Sequence, residues 1–172
     1  MPSMRIRHLV AEDWAAIAAL EAATYGALSE GRTVLQSRAV ASPETCFVLD
    51  AGERIAGYVL SLPYPDHRFP DLSEPEFTVH GRANLHLHDL VIAPASRGHG
   101  FGALLVDRVI EAAVGAERVS LVALEGTGAF WTARGFRALP AVATPGYGPG
   151  AVYMSRPITR RVESAGGTRR SQ

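Results

Sequence analysis

Two neighbouring runs hold residue types that could do chemistry. Arg97-Gly98-His99-Gly100-Phe101-Gly102 joins an arginine to three glycines. A glycine-rich turn that opens a helix leaves backbone N–H groups unpaired, and with the helix dipole these form an anion site. The first expected ligand is therefore a phosphate-bearing molecule. Just upstream, Leu85-His86-Leu87-His88-Asp89 spaces His86 and His88 onto one face of a strand. Imidazole titrates at about pH 6.5, so the pair can accept a proton near neutral pH. Two histidines can also bind a metal or satisfy hydrogen bonds within a sheet. No third ligand stands out, and no metal is expected.

The phosphate ligand can be narrowed. A P-loop needs Gly-Lys-Ser/Thr after its glycines, and this chain contains no lysine. The dinucleotide fingerprint is Gly-x-Gly-x-x-Gly, whereas the spacing here is Gly98-x-Gly100-x-Gly102, with no acidic residue at the required later strand end. Schiff-base chemistry is excluded with lysine.

The elements that must position these runs follow from periodicity. Asn84 to Ala93 reads as a strand entering a core, ended by Pro94. From Phe101, Leu104, Leu105, Val109, Ile110 and Ala113 recur at helical spacing, with Asp107, Arg108 and Glu111 opposite. Before them come a strand at Met4–Val10, a helix from Ala11 to about Tyr25, a weaker helix at Ser29–Val40, and strands at Cys46–Leu49 and Arg54–Leu62 joined by a hairpin turn. Residues 63–82 carry four prolines with Tyr64, Phe69 and Phe77, and read as a partly ordered lid. After the central helix come a strand at Arg118–Leu124, a short helix at Glu125–Gly135, a strand from Phe136, a loop at 141–150 and a last strand at Ala151–Pro157. The order β-α-α-β-β-β-α-β-α-β-β predicts one α/β (α+β) domain over residues 1–158, a mixed sheet of about six or seven strands flanked by about four helices. Residues 159–172 read as a disordered polar tail.

Composition sets bounds. The 172 residues suit one domain, with 47% apolar and 20% charged residues. Seventeen arginines balance seventeen acidic residues, so no nucleic-acid partner is expected. Cys46 lies in an apolar run and reads as a buried small hydrophobe. No apolar stretch is long enough to cross a membrane, and Met1–Val10 lacks a signal-peptide core, so a cytoplasmic monomer or homodimer is expected.

Arg97-Gly98-His99-Gly100-Phe101-Gly102, after Leu90-Val91-Ile92-Ala93-Pro94, resembles the Gln/Arg-x-x-Gly-x-Gly/Ala signature of the GNAT superfamily of acyl-coenzyme A N-acyltransferases. Phe130-Trp131-Thr132-Ala133-Arg134-Gly135-Phe136 resembles its second motif, Phe-Tyr-x-x-x-Gly-Phe. His86-x-His88 is similar to the histidine pair of arylalkylamine (serotonin) N-acetyltransferases, at the same distance before the turn. The resemblance implies acetyl-CoA as co-substrate and a small-molecule primary amine as acceptor. It implies that the backbone of Leu90, Val91 and Ile92 addresses the pantetheine arm and thioester, with the Ile92 N–H toward the oxyanion. Arg97 and the amides of Gly98, His99, Gly100, Phe101 and Gly102 would hold the pyrophosphate, Arg134 would add a phosphate contact, and Trp131 would pack on the arm. His86 and His88 would relay the amine proton.

The chain departs from the pattern at Trp131, where the family often has a tyrosine. Indole donates a hydrogen bond but has no usable proton to give a leaving thiolate. Tyr147 and Tyr153 are the replacement candidates. The alternatives are another acyl donor or acceptor (other acyl-CoA, aminoacyl-tRNA, antibiotic, protein N-terminus) and a non-catalytic coenzyme A-binding module.

Overall fold

The computed structural model describes residues 3–159; the predicted tail lies, apart from Thr159, outside them. Seven strands form one sheet in the order β1-β2-β3-β4-β5-β7-β6. They are β1 (Arg5–His8), β2 (Phe47–Asp50), β3 (Ile55–Pro63), β4 (Asn84–Ile92), β5 (Arg118–Ala123), β6 (Arg137–Ala138) and β7 (Val152–Pro157). The α-helices are α1 (Trp14–Tyr25), α2 (Arg32–Val40), α3 (Phe101–Ala112) and α4 (Gly128–Ala133). All neighbours are antiparallel except β4 and β5, which α3 joins as a crossover. The expected element order and class hold.

Helices cover both faces, which is why every residue of β2, and every residue of β3 after Ile55, is buried. Phe47, Leu49 and Val59 pack with Leu105, Val106 and Val109 of α3. Cys46, Val48, Tyr58 and Leu60 pack with Trp14, Ile17, Leu35 and Ala39 of α1 and α2. Cys46 is fully buried, and burial pushes its thiol up to about 12. The edge strand β1 is held by ions: Asp50 accepts from Arg5 at 3.1 Å and from Arg7 at 2.8 Å, and Arg7 also reaches Asp13.

Two boundaries and one loop differ from expectation, each for a physical reason. The second helix starts at Arg32, not Ser29, because the Ser29 hydroxyl and Glu30 N–H donate to the buried Glu21 carboxylate at 2.6 and 2.7 Å. The helix expected from Glu125 starts at Gly128, since Thr127 closes a turn on the Leu124 carbonyl. Residues 63–82 are a pinned wall rather than a lid. Arg38 donates to the Asp71 carbonyl at 2.7 Å, Ser37 Oγ accepts the Glu76 N–H at 2.8 Å, and Tyr147 donates to the Pro70 carbonyl at 2.5 Å.

Two features of β4 shape the space beside it. The strand pairs with β5 only over Asn84–His86 against Arg118–Ser120, so the two splay beyond that point. Opposite β3, Asp89 faces Leu60 while Leu87 faces Ser61, which leaves His88 as an extra residue, a β-bulge. The bulge switches the alternation. Leu85 and Leu87 join the α3 side before it, as do Leu90 and Ile92 after it, while Val91 joins the α1 side.

Candidate active site

The turn before α3 has the form an anion site needs. Gly98 and Gly100 take φ of 79° and 82°, which only glycine adopts without strain, and a Cβ on either would meet open space. Among the described residues, none accepts a hydrogen bond from the backbone N–H groups of residues 98 to 103. Gly102 serves packing instead: its missing Cβ would lie 3.4 Å from the Phe130 ring. Arg97 extends along the turn, with Nε donating to the Ile92 carbonyl at 2.9 Å. His99 closes the turn on Ser96. The guanidinium of Arg134 lies 5.6 Å over Phe130, the ring that touches Gly102, and its buried Nε has no acceptor.

The strand before the turn presents an open edge. The Ala93 N–H donates to Ala56 O at 2.8 Å. Antiparallel alternation then directs the peptide groups of Leu90 and Ile92 away from β3, into the gap left by the splay. Val91, expected beside them, is a correction: its peptide groups turn to β3 and its side chain is buried under α1. Gly57 is required here, because a Cβ would come within 2.7 Å of the Val91 carbonyl.

The splay opens a cavity of about 200 Å³. Leu28, Leu87, Leu90, Leu121 and Trp131 supply apolar wall; Glu21, Tyr25, Glu30, His88, Asp89 and Tyr147 supply polar wall. Trp131 is buried and packs edge-on against Phe130 and Phe136, so it is core and cavity lining at once.

The histidines are placed unequally. Both are buried, with ring centroids 6.1 Å apart. His88 borders the cavity, and its Nε2 meets Glu30 at 2.8 Å. Glu30 also accepts from Arg38 at 2.7 Å, and these two partners hold its carboxyl below the usual range against the cost of burial. His86 stands behind the wall, with Nδ1 3.0 Å from Ser120 Oγ. Burial, then the nearby charges of His88 and Arg38, drive its pKa well down, so it is a neutral imidazole. His86 Nε2 and His88 Nδ1 are each sealed from solvent without a partner.

The tyrosines also separate. Tyr147 borders the cavity, but its hydroxyl is spent on Pro70, and burial raises its pKa. Tyr153 is fully buried in β7 and away from the cavity; its hydroxyl accepts the His67 N–H at 2.9 Å and so anchors the 63–82 wall. That is a structural role, and it removes Tyr153 from the acid candidates.

Sequence reasoning passed over Asp89. The bulge turns it toward α1, where Tyr25 Oη and Tyr58 Oη donate to its two oxygens at 2.6 Å each. Burial pushes its carboxyl up to about 6, against the lowering effect of the two phenols. A carboxylate beside His-x-His was visible in the sequence, but its partners lie 64 and 31 residues away and are brought in by tertiary folding. Among the described residues, no group of three or more His, Cys, Asp or Glu is arranged to hold a metal, and no helix is long and apolar enough to cross a membrane.

The fold recurs in known proteins. The chain resembles the loading GNATL domain of CurA from Lyngbya majuscula at 18% identity and a TM-score of 0.73, over 91% of this chain and 98% of that one. It resembles N-acetylglutamate synthase from Neisseria gonorrhoeae, solved with coenzyme A and N-acetyl-glutamate, at 18% identity and a TM-score of 0.70, over 92% of this chain and 36% of that one. It also resembles a GNAT-like decarboxylase, GphF, solved with isobutyryl-CoA, at 22% identity and a TM-score of 0.69, over 90% of this chain and all of that one (100%). No curated protein matches the chain by sequence. At such identities the structural likeness speaks for the fold. A family-level match is direct: the model of the acetyltransferase (GNAT) family covers residues 6–136, which include the splayed strand, the glycine turn and the second motif, and the chain belongs to that family.

Proposed function

We propose that this chain is an acetyl-CoA-dependent N-acetyltransferase whose acceptor is a small-molecule primary amine. The observation that carries the reading is the cavity itself: it opens from the free edge of β4, and its polar wall holds Glu21, Glu30 and Asp89. A wall with three carboxyl groups suits an ammonium group, and the leucines and Trp131 suit an apolar body.

The chain's own groups divide the work. The free N–H groups of 98–103 and Arg97 bind the pyrophosphate, with Arg134 behind the turn. Leu90 and Ile92 direct their peptide groups to the pantetheine arm, and the Ile92 N–H meets the negative charge that develops on the acyl oxygen. Bound acetyl-CoA supplies the activated acyl group. Trp131 excludes water from the arm. Burial keeps Tyr147 protonated at the wall, and it can donate to the departing thiolate only by releasing its bond to the Pro70 carbonyl. The proton of the amine must pass to a group of the polar wall, and the histidine pair, His88 in front and His86 behind, is one candidate.

The test is thiol release from acetyl-CoA across a panel of primary amines, including tryptamine, phenethylamine and polyamines, with coenzyme A binding measured separately by thermal shift. Thiol release that depends on an amine supports the reading. A coenzyme A-induced rise in Tm with no amine-dependent thiol release rejects acetyl transfer to these amines and favours a coenzyme A-binding module.

A further inference from the structure

We propose that Tyr25 and Asp89 form the proton exit of this site, with Tyr25 taking the proton of the acceptor amine and Asp89 storing it. The proposal rests on the N-acetyltransferase reading above and deepens it.

Asp89 is held by two phenols that differ in position. Tyr25 is partly exposed and borders the cavity, whereas Tyr58, on β3, is fully buried in the core under α1 and α2. Each donates to a different carboxylate oxygen at 2.6 Å. One phenol therefore stands with the carboxylate at the cavity wall and the other fixes it from the core. The histidine pair lacks such a path. His86 is not on the wall, His88 Nε2 is engaged by Glu30, and the remaining nitrogens, His86 Nε2 and His88 Nδ1, are sealed. The β-bulge at His88 is what turns Asp89 to this side of the sheet. A regular strand would have pointed it into the apolar cluster under α3.

The step balances. The amine N–H bond breaks as its proton moves to Tyr25 Oη; the phenol's own proton moves to Asp89 Oδ1; the amine keeps the electron pair for attack. Tyr25 ends as a neutral phenol and Asp89 as a neutral carboxylic acid. Reversal through Tyr25 to water after product release restores the carboxylate. Burial supports the role, because it raises Asp89 to about 6, where it is ionised at neutral pH yet accepts a proton more readily than a solvated carboxylate. The charged and titratable groups facing Asp89 are Tyr25 on α1, Tyr58 on β3, His88 on β4 and Glu30 in the loop before α2; Glu21 on α1 acts on the two phenols, and Arg38 on α2 pairs with Glu30.

The experiment measures kcat and KM against pH for the full chain and five variants, with acetyl-CoA and the best amine of the panel. Folding is checked by circular dichroism. Tyr25→Phe removes only a hydroxyl, and Asp89→Asn keeps the side-chain shape. Each is expected to lower kcat about 100-fold with an unchanged KM for acetyl-CoA. The double variant is expected to be no slower than the slower single, because the two residues act as one unit. Tyr58→Phe removes one donor to the carboxylate and is expected to move the acid limb of kcat/KM to higher pH, which a merely structural residue would not do. Full rates in Tyr25→Phe and Asp89→Asn, or an unmoved limb in Tyr58→Phe, overturn the proton exit. So does a loss of the acid limb in His88→Ala with the dyad variants unaffected, which assigns the proton to the histidines. A wild-type chain that releases no thiol with any amine overturns the N-acetyltransferase reading and the exit with it, and is recognised because wild type and variants are then equally silent.

Discussion

Asp89→Asn should change stability in a way that depends on pH, and the size follows from the site. The fold raises the Asp89 carboxyl from 3.8 to about 6. That is roughly two decades of proton concentration at about 1.4 kcal/mol each, hence about 3 kcal/mol by which the fold disfavours the ionised group. Asp89 is only 6% exposed, so little of this is lost to solvent screening. The sign is set by linkage. Between about pH 4 and pH 6 the folded chain holds a proton that the unfolded chain has released, so the Asp89 contribution to stability falls as pH rises and is flat above the folded value. Asparagine carries no such titration. It does leave one of the two phenols without an acceptor, a constant cost of about 1–3 kcal/mol at every pH. The stability of Asp89→Asn relative to wild type should therefore improve by about 3 kcal/mol between pH 4 and pH 8, whatever its starting value. For a domain of this size that is a relative Tm movement of about 6–12 °C. Urea unfolding of both proteins at half-unit pH steps reads it directly. A difference that does not change with pH, or that changes mainly above pH 7, refutes the assignment of a raised, buried carboxyl to Asp89.

Two further outcomes test the coenzyme turn and the sheet edge. Gly100→Ala forces a side chain onto a φ of 82° and should cost about 1–2 kcal/mol and weaken coenzyme A binding, whereas Gly102→Ala only brings a methyl to 3.4 Å from Phe130 and should bind coenzyme A nearly as wild type; calorimetric titration separates them. Asp50, lowered to about 2 by Arg7, the Gly52 N–H and Arg5, should add stability at neutral pH that is lost as pH falls from roughly 4 to 2; Asp50→Asn should flatten that part of the Tm profile, and a profile unchanged by the substitution rejects the ion cluster as its source.

The turn and the fold were legible in the sequence because their signals are local. Glycines at 98, 100 and 102, Pro94 and the apolar repeat from Leu104 each act within a few residues, and the element order alone implied a helix-flanked mixed sheet. Boundaries moved where a distant side chain intervened, as Glu21 does at Ser29 and Glu30. The wall of the candidate site was legible only in part. His86 and His88 share a strand face in the sequence, but a bulge opposite Ser61 decides that His88 reaches the cavity and His86 does not. Tyr147 and Tyr153 looked alike as phenols; their partners, Pro70 and His67, tie both to the 63–82 wall, and only Tyr147 borders the cavity.

By itself, then, the sequence determined the fold class and the places of the glycine turn and of the strand that leads into it, because periodicity and glycine spacing are properties of adjacent residues. The tertiary structure alone decided which peptide groups of β4 remain free, which histidine faces the cavity, and that Asp89 joins Tyr25 and Tyr58. Those depend on strand register and on a single extra residue, and a shift of one residue in a strand sends every following side chain to the opposite face.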